Sequence, residues 1–203
     1  MTDDQARAHL RAADPVIAGL IDRAPDFEPR SWLAHLPTMD VFGALVFMVI
    51  GQQLSVASAR GIFNRLLVGF DDRMPTPAEL LTKSVDELRA VGLSRAKAAT
   101  LRAVAAEFAD GSLRESDLRR RSDEEIEARL TTIPGIGPWT VHGVLIIALD
   151  RPDVVLPGDL ALRKIIRVLY DMDHLPTQRE VLAIAQPWRP YRSLAVAYLF
   201  RSE

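Results

Sequence analysis

LTTIPGIGPW, from Leu130 to Trp139, is the most informative stretch of the sequence. Pro134 interrupts a helix, and the nearby Gly135 and Gly137 permit positive φ angles and close approach of another backbone. Pro138 then begins a second helix, whose unpaired N–H groups and positive dipole end lie beside the glycine amides. The stretch predicts a helix–hairpin–helix motif that can bind a DNA phosphate; a plain αα-hairpin with a glycine turn is the alternative.

Helix signals continue on both sides of this stretch, and no segment alternates apolar and polar residues over a β-branched run. Asp14 followed by Pro15 predicts a helix start, and Asp40 precedes the apolar run Val41–Gly51. Capping boxes are expected at Ser84–Glu87, Ser122–Glu125 and Thr177–Glu180. We therefore predict an all-α fold of about ten helices joined by short loops.

The composition is that of a globular protein. The chain has 203 residues, of which 48% are hydrophobic, and it has no cysteine. The absence of cysteine excludes disulfides, iron–sulfur clusters and a cysteine nucleophile. The apolar run Val41–Gly51 is shorter than the roughly 18 residues that a membrane span needs, so it predicts a buried helix. Because the start of the chain also lacks the pattern of a signal peptide, we expect a cytoplasmic protein without membrane contact.

Charge is nearly balanced over the chain. There are 25 basic and 27 acidic side chains, for a formal net charge of −2. Such a balance excludes the broad basic surface that many nucleic-acid-binding proteins present. Any contact with DNA must therefore be local, as it would be at the hairpin.

Together with the later block Leu156-Pro157-Gly158-Asp159, the hairpin resembles the helix–hairpin–helix DNA glycosylase superfamily that includes endonuclease III. Four further blocks are similar to its alkylbase branch, the 3-methyladenine DNA glycosylases II: Gly51–Ser55, Val91–Lys97, Gly137–Thr140 and Trp188–Ser193. The resemblance covers about residues 38–203. It corresponds to a short form without the N-terminal β-rich domain of longer bacterial members.

The resemblance implies a single domain, residues 1–203, with two helical lobes around a cleft: a middle lobe of about 52–150 and a second lobe from about 1–51 plus 151–203. It implies a monomeric enzyme of base excision repair that flips alkylated purines, of the 3-methyladenine and 7-methylguanine type, out of double-stranded DNA and hydrolyses their N-glycosidic bond. Strand-nicking members carry a Schiff-base lysine two residues after the second hairpin glycine. Trp139 stands there in this chain, so no lyase activity is expected.

Asp159 corresponds to the catalytic carboxylate of the family. A fixed carboxylate stabilises the positive charge that develops on the deoxyribose, and it can orient or deprotonate the attacking water. Asp159 also precedes a predicted helix, and aspartate is among the best N-cap residues. A purely structural cap is therefore the alternative.

The resemblance also implies a base pocket formed by Trp139, Phe200 and Tyr198. A π face attracts the positively charged ring of an N3- or N7-methylated purine. Core packing is the alternative for the aromatic residues of the C-terminal block. Gly143 stands where the longer bacterial form has a pocket tyrosine, which predicts a more open pocket.

Contacts to the DNA are expected from two turns. The residues expected at the DNA backbone are Gly135, Ile136, Gly137 and Thr140. At the helix break that begins with Gly51, Gln53 and Leu54 are expected to fill the gap left by the flipped nucleotide. Alternatively, Gln52 and Gln53 only satisfy backbone groups at that break.

Family hairpins often hold a monovalent cation through backbone carbonyls, which correspond here to those of Thr131, Ile133 and Ile136. Main-chain oxygens suit Na⁺ or K⁺ in a structural role, and no other cofactor is expected. Two other classes of function stay open. One is a non-catalytic helix–hairpin–helix DNA-binding module in which Asp159 is only a cap, and the other is a helical protein that binds a small molecule or a protein partner.

Overall fold

The computed structural model describes residues 3–31 and 39–202. These residues form thirteen α-helices and contain no strand, which confirms the all-α prediction and exceeds the expected ten helices. The chain divides into two compact units, a middle unit of residues 39–149 and a terminal unit of residues 3–31 with 150–202. The predicted lobe boundary lay near residue 51, whereas the apolar helix that precedes it belongs to the middle unit.

The middle unit is built around one fully buried helix. Its helices are α3 (Val41–Gly51), α4 (Val56–Val68), α5 (Pro77–Thr82), α6 (Val85–Ala90), α7 (Arg95–Ala109), α8 (Glu115–Leu118), α9 (Asp123–Leu130) and α10 (Pro138–Ile147). Every residue of α3 from Val41 to Ile50 is buried, because α4, α7 and α10 pack around it. A helix that is apolar on all sides is stable in water only in such a position. The prediction of a buried helix is confirmed.

Local sequence fixes most of the helix starts. The three predicted capping boxes are present at Ser84, Ser122 and Thr177, and a fourth begins at Thr76. In each, the hydroxyl accepts from the third helical N–H while the glutamate at that position accepts from the cap. The chain therefore enters these helices at residues that a four-residue pattern identifies.

The terminal unit is held together by a buried carboxylate. Its helices are α1 (Asp3–Ala13), α2 (Pro15–Arg23), α11 (Leu160–Leu169), α12 (Gln178–Ile184) and α13 (Arg192–Arg201), with a 3₁₀ turn at Gln186–Trp188. Asp14 caps α2 and also accepts from the hydroxyl of Tyr170 at 2.6 Å and the indole of Trp188 at 2.8 Å. Burial and the bond to Asp14 raise the pKa of Tyr170 far above its usual value. One side chain thus joins three separate segments of this unit.

Among the described residues, no helix has the length and apolar composition that a bilayer span requires.

Candidate functional site

The predicted hairpin is present as residues 131–137, between the end of α9 and the start of α10. The N–H of Ile136 donates to the carbonyl of Ile133 at 3.0 Å, and both isoleucine side chains are buried. Pro134 and Gly135 are exposed. The isoleucines therefore anchor the hairpin in the core while its glycine side faces solvent.

The two glycines of the hairpin differ in how strictly the fold requires a residue without a side chain. Gly135 has a φ of +89°, and a Cβ there would lie 2.1 Å from Oγ1 of Thr100 on α7. Gly137 is the N-cap of α10 with a φ of −117°, and apart from its own chain neighbours no described residue places an atom within 4 Å of the position of its Cβ. The fold therefore requires glycine at position 135, whereas Gly137 leaves open space at the start of a helix.

That open space has the properties of an anion site. The first N–H groups of a helix have no intrahelical partner, and they carry the positive end of its dipole. Thr140, predicted to contact DNA, has a buried side chain whose hydroxyl accepts from Gln52. Thr140 therefore lies beneath the surface of the hairpin, bonded to Gln52 and not exposed to solvent.

The hairpin also presents backbone oxygens. The Ile133 carbonyl accepts the turn bond from Ile136. No hydrogen bond in the described part of the chain uses the carbonyl of Thr131 or that of Ile136. These three oxygens form the donor set that the sequence suggested for a monovalent cation, and their hard, uncharged character fits such an ion.

The break between α3 and α4 projects side chains into solvent. Gln53 has a φ of +57°, in the left-handed region that few non-glycine residues adopt. Leu54 is 41% exposed and Val56 is 70% exposed. The predicted wedge residues Gln53 and Leu54 therefore lie on the surface, on a sharply turned segment.

The side chain of Gln52, unlike those of Gln53 and Leu54, contacts other parts of the middle unit. Its side-chain amide donates to the carbonyl of Gly135 and to the hydroxyl of Thr140, each at 3.0 Å. Lys97 on α7 donates to the carbonyls of Ile50 and Gln52 at 2.9 and 2.7 Å, and burial lowers the pKa of this lysine. Sequence reasoning gave Lys97 no role, because nothing local to α7 shows that its ammonium reaches the end of α3.

Trp139 is partly exposed in the first turn of α10, one residue after Pro138. Its Cη2 atom lies 3.9 Å from the position of a Cβ at Gly51. One helical turn later, a Cβ at Gly143 would lie 2.1 Å from Cε of Met48. The thioether of Met48 therefore fills the space that Gly143 leaves, contrary to the more open pocket expected there.

Asp159 is the N-cap of α11 in the terminal unit, as predicted. Its Oδ1 accepts from the N–H of Leu162 at 2.9 Å, and its own N–H donates to Leu156 at 3.0 Å. The residue is partly exposed. Arg163, one turn further on, donates to the carbonyl of Pro176. The cap function is therefore real, and it coexists with exposure of the residue to solvent.

Phe200 and Tyr198 lie two residues apart on α13 and differ in exposure. Phe200 is 37% exposed, whereas Tyr198 is fully buried. The hydroxyl of Tyr198 accepts from Arg7 at 3.0 Å, and its ring packs edge-on against Phe27. Trp188 in the same C-terminal block is buried on Asp14. Core packing, the alternative left open for these aromatics, describes Tyr198 and Trp188 but not Phe200.

Comparison with known proteins agrees with these features. A family model described as HhH-GPD superfamily base excision DNA repair protein matches residues 46–190. The chain is 31% identical to DNA-3-methyladenine glycosylase 1 of Schizosaccharomyces pombe over 200 residues, which are 98% of this chain and 86% of that protein. It is 29% identical to a DNA-3-methyladenine glycosylase of Bacillus subtilis over 80% of this chain, but it spans only 57% of that longer relative.

A solved structure of the Schizosaccharomyces pombe 3-methyladenine DNA glycosylase in complex with abasic DNA superposes with a TM-score of 0.89. The two chains are 32% identical, and the superposition covers 98% of this chain and 96% of that one. The helical fold, the hairpin and these matches agree: the chain belongs to the HhH-GPD superfamily of base excision DNA repair proteins.

Proposed function

We propose that the protein is a monofunctional DNA glycosylase that removes alkylated purines from double-stranded DNA by hydrolysis. The observation that carries the proposal is the open anion site at Gly137, followed two residues later by a partly exposed indole, Trp139. The relatives named above as 3-methyladenine DNA glycosylases support the choice of substrate class. A monomer in the cytoplasm, as expected from the sequence, is part of the proposal.

In this proposal the hairpin binds a DNA phosphate. The N–H groups at the start of α10 supply donors, and the absence of a side chain at Gly137 lets the phosphate approach them. Because the net charge is −2 and gives no overall attraction to DNA, binding has to rest on such local contacts. Binding should weaken with salt, with a slope of about −0.9 per phosphate contacted.

Gln53 and Leu54 act as the wedge. A flipped nucleotide leaves a gap in the base stack, and an enzyme that flips bases must compensate for the lost stacking. The exposed apolar surface of Leu54 suits such a gap, and Gln53 adds an amide that can pair with the edge of the opposite base. The exposure of both residues supports this assignment.

Trp139 is assigned to the flipped base, and Phe200 on α13 stays a predicted pocket residue. A purine methylated at N3 or N7 is a flat cation, and an indole or phenyl face binds it by stacking and cation–π attraction. Trp139 offers no amine for a Schiff base, so water is the nucleophile. Tyr198 takes no part, because it is buried beneath Arg7 and Phe27.

Asp159 is assigned to the sugar. The C1′–N bond breaks as the cationic base leaves as a neutral purine, so no general acid is needed. The carboxylate stabilises the positive charge on the deoxyribose and accepts a proton from the water whose oxygen bonds to C1′. Its exposure at the start of α11 is compatible with contact to solvent water.

A structural Na⁺ or K⁺ at the hairpin completes the proposal. The carbonyls of Thr131, Ile133 and Ile136 would hold it, and the ion would supply positive charge beside the bound phosphate. The remaining contacts to the phosphate come from the backbone of α10. A fall in DNA affinity when Na⁺ and K⁺ are replaced by a bulky organic cation at equal ionic strength would support this site.

The function is tested with duplex DNA treated with a methylating agent. The wild-type protein should release 3-methyladenine and 7-methylguanine, identified by chromatography, and the strand should break only after later treatment with alkali. Strand breaks without alkali would contradict a monofunctional enzyme. Salt-dependent DNA binding without base release would indicate the non-catalytic module instead.

A further inference from the structure

Three elements of the middle unit meet at the side chain of Gln52. This residue follows α3, and its amide bonds to the carbonyl of Gly135 in the hairpin and to the hydroxyl of Thr140 on α10. Its own carbonyl accepts from Lys97 on α7. The start of the wedge turn, defined as residues 52–55, is thereby tied both to the hairpin and to α7.

One face of α7 supports both turns. Lys97 and Thr100 are three residues apart and therefore lie on the same side of the helix. Lys97 holds the carbonyls of Ile50 and Gln52, and the Thr100 side chain packs against Gly135 so closely that a Cβ there is excluded. The hairpin and the wedge turn are thus both held by the same face of α7.

The wedge turn needs such support because its own backbone provides little. Between α3 and α4 the turn makes only short-range backbone bonds, from Gln52 N–H to Val49 at 3.4 Å and from Leu54 N–H to Gly51 at 3.1 Å, and Gln53 adopts the left-handed conformation. Residues 53–58 are all exposed. A segment that must displace a base from its stack has to be rigid relative to the site that grips the DNA backbone.

We propose, on the basis of the proposed function, that Gln52 and Lys97 are positioning residues that keep the wedge turn in register with the phosphate-binding hairpin. Binding of a phosphate at the hairpin then places Gln53 and Leu54 at a fixed distance along the DNA. Neither Gln52 nor Lys97 needs to touch the substrate. Their loss should impair insertion of the wedge more than binding to the DNA backbone.

The test uses a duplex that contains a stable abasic-site analogue with 2-aminopurine in the adjacent position. Insertion of the wedge changes the stacking of 2-aminopurine and therefore its fluorescence, and no bond has to be broken. Affinity for the same duplex is measured by anisotropy. Base release from methylated DNA is measured separately, so failure of the proposed function and failure of this inference give different results.

The variants are Gln52→Met and Lys97→Met, which keep side-chain length and remove the donors. Lys97→Arg restores a cationic donor, and Lys83→Met is the matched control, since Lys83 lies near Phe70 and Glu87, away from both turns. We expect the two methionine variants to lose about fivefold or more of the insertion rate with affinity changed less than twofold. Lys97→Arg and Lys83→Met should insert at nearly the wild-type rate.

Two results would overturn the inference. One is insertion at the wild-type rate by folded Gln52→Met and Lys97→Met, and the other is an equal loss in Lys83→Met. A double variant adds a sharper criterion. If Gln52 acts through the wedge, Gln52→Met should slow insertion no further in a Gln53→Ala background, whereas independent, multiplied losses would contradict the proposed coupling.

Discussion

Two aspartates of the terminal unit, Asp14 and Asp159, look the same in the sequence and differ in the structure. Each is the N-cap of a helix, and each accepts through Oδ1 from the N–H three residues later. Asp14 is 6% exposed, and its Oδ2 accepts from Tyr170 and Trp188. Asp159 is partly exposed.

The difference shows which part of a carboxylate's role is local. The cap bond comes from the sequence that follows the aspartate, so the same pattern appears at both sites. The neighbours of the second oxygen come from distant segments of the chain. Tyr170 and Trp188 make Asp14 a structural centre, whereas Asp159 is partly exposed, as its proposed role in activating water requires.

Asp159→Asn should have the largest effect on activity. Asparagine caps a helix about as well as aspartate, so the unfolding free energy should change by less than about 0.5 kcal/mol. Base release should slow by at least about 100-fold, because the variant cannot stabilise the cationic sugar or accept a proton. The rate is measured under single-turnover conditions on methylated duplex. A folded variant with a near-wild-type rate would make Asp159 a cap only.

Asp14→Ala should instead lower the stability of the fold and leave activity nearly unchanged. The variant loses an N-cap, worth about 1 kcal/mol, and leaves the donors of Tyr170 and Trp188 without their acceptor, at about 1–3 kcal/mol each. We expect the unfolding free energy to fall by about 3–7 kcal/mol in urea titrations. At a temperature where the variant is folded, base release should stay within about twofold of wild type. A loss of activity without a loss of stability would contradict the purely structural role of Asp14.

The hairpin glycines extend the comparison to the middle unit. Gly135→Ala should destabilise the fold by about 2 kcal/mol, because alanine is strained at a φ of +89° and its Cβ meets Thr100. Gly137→Ala should leave the stability within about 0.5 kcal/mol, since its φ is ordinary and the space is open.

In DNA affinity the two variants should rank in the opposite order, with the larger loss for Gly137→Ala. The methyl group at position 137 blocks the approach of a phosphate to α10, so Gly137→Ala should bind duplex DNA about tenfold more weakly or worse. Folded Gly135→Ala should be affected less. Unchanged DNA binding by Gly137→Ala would show that the open space at α10 does not receive a phosphate.

The same division explains what the sequence could reveal. Capping boxes, the helix starts at Asp14 and Asp159 and the hairpin turn depend on a few adjacent residues, so they were predictable at their positions. The filling of the space at Gly143 by Met48, the burial of Tyr198 and the contacts of Lys97 depend on segments distant in the chain. Periodicity along α3, α7 or α13 shows which residues are apolar, but not which distant side chain meets them.

Tyr170 provides the smallest and most specific test of the comparison. Its pKa is raised in the folded protein by burial and by the bond to Asp14, so the folded state keeps the phenol proton where the unfolded chain loses it. The stabilisation is therefore complete below about pH 10, the ordinary tyrosine pKa, and is lost as the pH rises above it. The unfolding free energy should fall there by up to about 1.4 kcal/mol per pH unit.

Tyr170→Phe serves as the control for this titration. It should lose about 1 kcal/mol at neutral pH, the value of one hydrogen bond, and its stability should fall less steeply above pH 10. Equal slopes for wild type and variant would mean that the phenol of Tyr170 titrates alike in both states. Asp14 would then bind its neighbours less tightly than its burial implies, and the contrast with Asp159 would rest on exposure alone.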